Sequence, residues 1–472
     1  MKMLKYFLIM SLTFFPFVLI AQQNQRFVGS WMGKLNVGAI ELRLGINLKT
    51  DSTGLIHTTL DSPDQNAYGL KTDSTNINGN IVTIEAKNMM ARFVGTLLAG
   101  DSAINGTWSQ GGKIFDLNLK KLQRPIIINR PQEPKQPFPY KSEEVKFTNI
   151  KANIELAGTL TLPQGEGPFP AVVLVTGSGP QNRDETLMGH KPFLVISDFL
   201  TRHGIAVLRY DDRGIGKSKG SFSLATSFDF ADDAEAGFMW LKQQPLIDKN
   251  RTGIAGHSEG GLIAPIVASR NKNVDFIILI AGTGVSGEDI ILAQAQLIGL
   301  KSGGSPEALK ENDLFSRKLY SAIKKEPNND KAIPELTKIY EEGIDNSKFL
   351  DDKVKVLQKK QMNSLLLQIT SPWFRTFLQL DPKPYLLKTK CQVLAMNGTK
   401  DLQVPCDLNL NAIDKYLKLA GNKHYKILKI DGVNHLFQHC EKGIPAEYSA
   451  IEETFAPEAL NAMSDFILHL KK

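Results

Sequence analysis

The sequence predicts an α/β protein: a mostly parallel sheet with helices on both faces, interrupted by a helical insertion and preceded by a small antiparallel β domain. Three observations carry this expectation. From about residue 143, apolar strand-like runs alternate with helix-patterned ones. Residues 285–385 break that alternation with charged, helix-patterned sequence that has no strand signal. Residues 22–122 hold short runs of alternating polarity, separated by turn residues about every ten positions.

The bulk properties fit such a chain. Its 472 residues, 42% hydrophobic and 22% charged, suit two or three globular domains. The net charge of +7 is dispersed. The lysine-rich stretch 301–360 also carries Glu307, Glu311, Asp313, Glu335, Glu341, Glu342, Asp351 and Asp352, which makes it a solvated helical face of mixed charge. No one-signed stripe is visible, so no nucleic-acid partner is expected.

Residues 1–21 read as an export signal. Lys2 and Lys5 precede an uncharged run from Tyr6 to Ile20, and Ala21 is followed by Gln22, Gln23, Asn24 and Gln25. Pro16 and the short apolar core argue against a stable membrane span, which needs roughly 20 apolar residues. The mature protein is therefore expected to be periplasmic or secreted, with no span after signal removal. Three cysteines, Cys391, Cys406 and Cys440, then meet an oxidising compartment. An odd number leaves at least one free, and whether Cys406 pairs with Cys440 stays open.

Within 22–122 the candidate strands are "AIELRLGINL", "GLIHTTL", "NIVTIEA", "ARFVGTLL", "AINGTWS" and "IFDLNLKKL". Turn chemistry in "KTDSTG", "INGN", "LAGDS" and "SQGGK" separates them, as in a meander or partly closed barrel. Pro125, Pro131, Pro134, Pro137 and Pro139 then mark residues 123–142 as a semi-rigid extended linker.

The α/β part occupies 143–284 and 386–472. A β pair ("VKFTN", "IELAGTLTLP") leads into "PAVVLVTGSGP", a continuous apolar run of the kind buried on both faces of a parallel sheet. Helix 191–203, strand "IAVLRY", helix 228–243, strand "TGIAGH", helix 259–270 and strand "VDFIILIAG" follow. After the insertion come strand "CQVLAMNG", helix 407–419, strand "HYKILKI" and a helix around 457–470. Residues 285–385 are expected to form a lid above the strand ends.

"GHSEGG", Gly256 to Gly261, is the decisive stretch. At this glycine content a G-x-S-x-G arises by chance in about one chain of this length in five. Its position after "TGIA" and before the helix-patterned "GGLIAPIVASR" is what makes it a nucleophile elbow. The serine would stand at a strand end under a helix dipole, with glycines where side chains would crowd the turn. A serine needs a base, and the base needs an orienting acid. Asp401 in "MNGTKDLQVP" and His435 in "DGVNHLF" follow the next two strands and so share one rim with Ser258. Asp431 is the rival acid, but four residues from His435 on one loop it has less freedom to approach the imidazole. Two amides are expected to hold an oxyanion, those of Glu259 and of Ser178 in "VTGSGP".

These segments, with "GSGPQNRDE", "RYDDRGIGKS" and "SPWFRTFLQLDP", resemble the α/β-hydrolase superfamily and more closely its EstD-type bacterial carboxylesterases, near the serine-aminopeptidase-like group. The resemblance spans about 145–472 and is least defined inside the lid. It implies an α/β-hydrolase fold and hydrolysis of a small-molecule ester through Ser258, Asp401 and His435, with no metal and no cofactor. Short-to-medium acyl groups are the expected substrates. The same triad serves an aminopeptidase or amidase, for which Glu259 would hold a free amine. A non-catalytic binding protein on this scaffold is the remaining reading. Trp373, Phe374 and Phe377 are candidates for the substrate pocket, with packing inside the lid the competing role. His190 in "MGHKPF" is a further candidate there, set against capping or packing.

Three other patterns are set aside. "GTGVSG", Gly282 to Gly287, matches G-x-G-x-x-G, but it follows a late strand and lacks the acid that a dinucleotide site needs. "GIGKS" has Asp211 where a P-loop requires glycine. Asp211, Asp212 and Arg213 are expected to form a structural ion-pair corner. The histidines show no H-E-x-x-H spacing.

Overall fold

The computed structural model describes residues 24–37, 40–51, 54–63, 67–123 and 129–470. The expected export signal, residues 1–21, lies outside them. The chain divides into two compact units, one ending at Asn129 and one beginning at Arg130.

The first unit is a nine-stranded antiparallel sheet. Its strands are β1 (Gly29–Val37), β2 (Ile40–Thr50), β3 (Ile56–Ser62), β4 (Ala67–Lys71), β5 (Ser74–Asn78), β6 (Ile81–Ala86), β7 (Ala91–Leu97), β8 (Ala103–Gln110) and β9 (Lys113–Lys121). They run in the order β4-β3-β2-β1-β9-β8-β7-β6-β5. Period-two polarity sets the buried face: Ala91, Phe93 and Leu97 of β7 are buried while Arg92 and Thr96 are exposed. The interior is built on Trp31, Phe93 and Trp108, and the Trp31 indole donates to the Phe27 carbonyl at 2.8 Å. The hydroxyls of Thr58 on β3 and Thr75 on β5 meet at 2.6 Å, joining the two arms of the sheet by side chains. Three of the strands, β1, β4 and β5, are absent from the candidates read off the sequence. In β1, Gly33 and a mixed polar pattern mask the strand. The glycine is required there, because a β-carbon would sit 2.7 Å from the Asn118 carbonyl oxygen.

The second unit carries an eight-stranded sheet: β10 (Lys141–Asn149), β11 (Ile154–Leu162), β12 (Phe169–Val175), β13 (Ala206–Tyr210), β14 (Ile247–His257), β15 (Phe276–Ile280), β16 (Gln392–Gly398) and β17 (Tyr425–Ile430). The order is β10-β11-β13-β12-β14-β15-β16-β17. Only β10–β11 and β11–β13 pair antiparallel; the remaining pairs are parallel. Helices α1 (Pro192–Arg202), α2 (Ser227–Lys242) and α3 (Glu259–Arg270) connect β12 through β15. The chain steps from β12 to β13 on one side and then crosses back to β14 on the other. That reversal opens a crevice at the strand ends, where open α/β sheets bind ligands.

Between β15 and β16 lie six helices: α4 (Gly287–Lys301), α5 (Pro306–Lys325), α6 (Asn329–Asn346), α7 (Asp352–Ile369), α8 (Pro372–Gln379) and α9 (Lys383–Leu386). Leu319, Leu336, Ile344, Leu366, Phe374 and Leu378 give this insertion a core of its own. Helices α10 (Cys406–Leu419), α11 (Pro445–Tyr448) and α12 (Pro457–Leu468) complete the unit. One face of the sheet packs on Phe238, Ile263 and Leu410, the other on Phe193, Ile196 and Met463. Both faces are covered, so the central strands are apolar throughout. Among the described residues no helix is long and apolar enough to cross a membrane.

The proline-rich stretch 123–142 is not a linker along its whole length. From Arg130 onward it is bonded into the second unit. The Arg130 guanidinium donates to the carbonyls of Ser449 (2.7 Å), Gly189 (3.2 Å) and Ile451. Gln132 accepts from the amides of Thr454 and Phe455 and donates to the Phe455 carbonyl, and the Tyr140 hydroxyl donates to Asp198 at 2.8 Å. The prolines keep the backbone extended and donor-poor, and side chains supply the attachment that composition does not reveal.

Truncating Trp31 to alanine should destabilise the first unit by about 3–5 kcal/mol. Urea unfolding followed by tryptophan-independent circular dichroism measures this; a change under 1 kcal/mol would mean that the indole is not a core element.

Candidate active site

Ser258 stands between the end of β14 and the start of α3 with φ 54° and ψ −115°. A non-glycine residue at positive φ is strained by roughly 1–3 kcal/mol, so its surroundings must hold it there. The Ser258 amide donates to the Ile280 carbonyl at 2.8 Å, and the Ser258 carbonyl accepts from Gly261 at 2.9 Å. Glycine is required on both sides. A β-carbon on Gly256 would lie 2.0 Å from the Gly260 carbonyl oxygen, and one on Gly260 would lie 2.2 Å from that of Val175. With those positions clear, the serine side chain faces a cavity of about 300 Å³.

His435, on the loop after β17, lines the same cavity. Its Nδ1 lies 2.8 Å from Asp401 Oδ2, and both side chains are buried. The other carboxylate oxygen, Asp401 Oδ1, accepts from the amides of Gln403 and Val404, each at 2.8 Å. Three bonds therefore fix the carboxylate, and its contact with Nδ1 leaves Nε2 as the free nitrogen. Asp431 takes no part: it accepts from the Thr399 hydroxyl at 2.9 Å in an exposed pair. The Ser258 hydroxyl has no hydrogen bond to a described residue, so the serine–imidazole contact is open in this state.

Ser178 and Glu259 both border the elbow. Their amides have no partner among the described residues, whereas the neighbouring Gly177 amide donates to Glu185 Oε1 at 2.8 Å. The Glu259 side chain points away from the cavity mouth into a buried donor set. It accepts from Ser227 Oγ (2.5 Å) and from Trp373 Nε1 (2.9 and 3.0 Å), with the Ser178 hydroxyl also bonded to it. Burial raises its pKa above the ordinary carboxylate value, and these donors only partly offset that.

The cavity wall includes Trp373 and Phe377 of α8, stacked at 5.2 Å. Phe374 does not reach it. One position along the helix turns Phe374 into the insertion core, where its ring lies 5.9 Å from Tyr320. His190 is also elsewhere: it is fully buried, with Nδ1 on Thr454 Oγ1 and Nε2 near the Tyr448 carbonyl and Gln438 Nε2. Its role is packing, and burial lowers its pKa to about 4. Asp211 pairs with Arg183, Arg213 with Asp233, and Asp212 accepts from Thr176 Oγ1 and the Gln181 amide. This corner buttresses the loop that follows β12. "GTGVSG" contributes Thr283 to the cavity wall and opens α4. Cys391, Cys406 and Cys440 are all unbridged.

Sequence reasoning did not single out two residues beneath the site. His257 is buried, with Nδ1 2.9 Å from Glu185 Oε1 and Nε2 3.0 Å from the His435 carbonyl oxygen. Glu185 sits inside the quoted "GSGPQNRDE", and its φ of 49° is a second strained position. A histidine flanking the nucleophile was the one available signal; its partner lies 72 residues away.

The sequence profile of the X-Pro dipeptidyl-peptidase (S15) family matches residues 153–439. The chain belongs to the S15 family. S15 membership covers the elbow, the acid and base loops and the helical insertion alike. The chain is also similar to Esterase EstD of Thermotoga maritima, 28% identical over 378 residues, covering 80% of this chain and 79% of the relative. Among solved structures, an α/β hydrolase from Penicillium sp. sh18 has 17% identity and a TM-score of 0.42, covering 70% of this chain and 99% of that one. A Pyrococcus furiosus esterase has 17% identity and a TM-score of 0.42, covering 74% and 99%.

Gly260→Ala should disrupt the elbow, because the new methyl meets backbone rather than a flexible side chain. A destabilisation above about 2 kcal/mol by thermal unfolding, with loss of Ser258 labelling by a fluorophosphonate, is expected. His190 gives a pH signature. Its native pKa of about 4 lies below the ordinary 6.5, so its contribution to stability is complete above pH 6.5 and is lost as pH falls from there towards 4. Melting temperatures of wild type and His190→Gln across that window should converge as the pH drops; parallel curves would sink the assignment.

Proposed function

We propose that the protein is a serine hydrolase that cleaves carboxylic esters through an acyl-enzyme. Ser258 is the nucleophile, His435 the general base and Asp401 the acid that orients it. The observation that carries this reading is the fixed Asp401–His435 pair facing the same cavity as a serine held at positive φ on a glycine-cleared elbow. His435 Nε2 takes the Ser258 proton as Oγ attacks the carbonyl carbon. The resulting oxyanion rests on the Ser178 and Glu259 amides at the N-terminus of α3. The alcohol leaves with the proton from His435, and water attacks the acyl-enzyme with His435 again as base.

The family description names a dipeptidyl-peptidase, and Esterase EstD is named an esterase. The cavity chemistry favours the ester. A free substrate amine needs an uncommitted acid, and Glu185 is the one carboxylate among the described cavity-lining residues. Its Oε1 is already shared between His257 and Gly177, while its buried Oε2 has no hydrogen-bond partner among the described residues. Glu259, the acid expected to hold an amine, is committed to Trp373 and Ser227. Apart from His257 and His435, the remaining wall is uncharged, including Leu187, Met188, Ile290, Phe377, Gln294 and Gln403. A volume of about 300 Å³ lies at the small end of the roughly 300–1,000 Å³ of ligand pockets, which supports short-to-medium acyl groups. In this reading the insertion acts as the lid, and the chain works after export.

Ser258→Ala should lower kcat on nitrophenyl esters by about 10⁶-fold, and Asp401→Asn by about 10⁴-fold with little change in KM. Esters of short acyl chains should be turned over faster than aminoacyl anilides. Anilide activity exceeding ester activity would overturn the ester assignment, and a wild-type chain that takes no fluorophosphonate label would overturn the hydrolase itself.

A further inference from the structure

The imidazole next to the nucleophile poses a proton-counting problem. His257 Nδ1 faces Glu185 Oε1 at 2.9 Å, and Nε2 faces the backbone carbonyl of His435 at 3.0 Å. A carbonyl oxygen only accepts, so Nε2 must carry a proton. Glu185 Oε1 already accepts the Gly177 amide at 2.8 Å. Nδ1 then donates to it as well, and a neutral imidazole has one N–H where this arrangement uses two. The three bonds join the loop after β12, the elbow and the loop that presents His435. The two histidine rings lie 4.8 Å apart.

We propose that His257, held as a buried imidazolium by Glu185, is a positioning residue that pins the His435 backbone and, through the Glu185–Gly177 bond, the oxyanion loop that carries Ser178. The proposal rests on the serine-hydrolase reading of the site. Its logic is that both reacting partners of Ser258 sit on loops, and a base misplaced by 1 Å can cost about 10²-fold in rate. The oxyanion loop is also tied to the elbow through the Ser178 hydroxyl on Glu259, whereas His257 is the one charged elbow residue bonded to the loop that presents His435 among the described residues. Burial opposes the charge on His257, but the Glu185 carboxylate, its hydrogen bond, the His435 carbonyl and Asp401 outweigh it, so the pKa is raised. The titratable groups facing the ring are Glu185 from the segment before α1, His435 from the loop after β17 and Asp401 from the loop after β16, with Asp212 behind Glu185.

Glu185→Gln tests the charge. Glutamine still offers an oxygen to Gly177 and Nδ1, but it no longer holds the second proton on the ring. Above the pKa of the freed imidazole the ring keeps one N–H, so its bond to residue 185 or its bond to the His435 carbonyl is lost and the three-way tie is broken. The expected result is a kcat reduced about 10- to 10²-fold with KM within threefold. The kcat–pH profile should also gain a descending alkaline limb absent from wild type. Glu185→Asp, which keeps the charge, should lower kcat without adding that limb. A Glu185→Gln profile merely scaled from wild type, or the same limb in Glu185→Asp, overturns the proposal. Nitrogen-15 resonances of wild-type His257, assigned by difference against His257→Gln, provide a test that needs no folded Glu185 variant. Both ring nitrogens should be protonated at pH 7.5, and a single protonated nitrogen overturns the proposal. Failure of the hydrolase reading looks different: wild type would take no fluorophosphonate label and Ser258→Ala would leave turnover unchanged.

Discussion

At Gly260 the start of α3 passes so close to the end of β12 that a β-carbon would lie 2.2 Å from the Val175 carbonyl oxygen. That approach fixes the turn between β14 and α3, and the turn sends three consecutive side chains in three directions. His257 goes down to Glu185 and the His435 carbonyl. Ser258 goes up into the cavity. Glu259 goes sideways to Ser227 and Trp373. Each of these residues meets a different loop or helix, so the backbone geometry of a single turn organises the site. A strand could not do this, because its period of two would return His257 and Glu259 to one face.

The electrostatics follow from the same crowding. Glu185, Asp212, Glu259 and Asp401 are all buried around the elbow, yet His257 is the one cation that an acid among them contacts through a ring nitrogen in the elbow itself. The others are satisfied by neutral donors: amides for Asp401, an amide and a hydroxyl for Asp212, hydroxyls and an indole for Glu259. Neutral donors compensate burial incompletely, which is why the pKa of Asp212 is pushed up to about 8 and that of Glu259 is raised. Asp401 differs in where its second oxygen is directed. It reaches an imidazole whose far side opens onto the cavity, so its charge can act on a proton that moves.

Much of this was legible in the chain because it rests on local pattern. Strand-to-helix alternation, the glycines of "GHSEGG" and the positions of Asp401 and His435 just past strand ends are all short-range signals, and helix α3 begins and ends where the pattern places it. What the sequence concealed depends on contacts between distant segments. His190 meets residues more than 250 positions away. Glu185 meets His257 across 72 positions, and Arg130 meets Ser449 across 319. Proline content correctly indicates an extended backbone after residue 129 but carries no information on whether that backbone is free or bonded. In the first unit β1, β4 and β5 went unread because glycine and polar residues blur the period of two that marks β2 and β7.

Helix α8 shows how far a pattern reaches and where it stops. An aromatic run "PWF" followed by Phe377 cannot by itself say which rings face substrate. Trp373 and Phe377, four apart, share one face and line the cavity. Phe374 and Leu378, also four apart, share the next face and enter the insertion core. The wall of the cavity and the core of the insertion are therefore built from adjacent faces of one eight-residue helix. The Trp373 indole is bonded to both Glu259 oxygens, so that wall cannot shift without leaving a buried carboxylate short of a donor. A group buried in that way loses on the order of 1–3 kcal/mol of compensation. The position of the insertion is thus coupled to the residue whose amide borders the nucleophile, and the coupling passes through a side chain rather than through the backbone of either element.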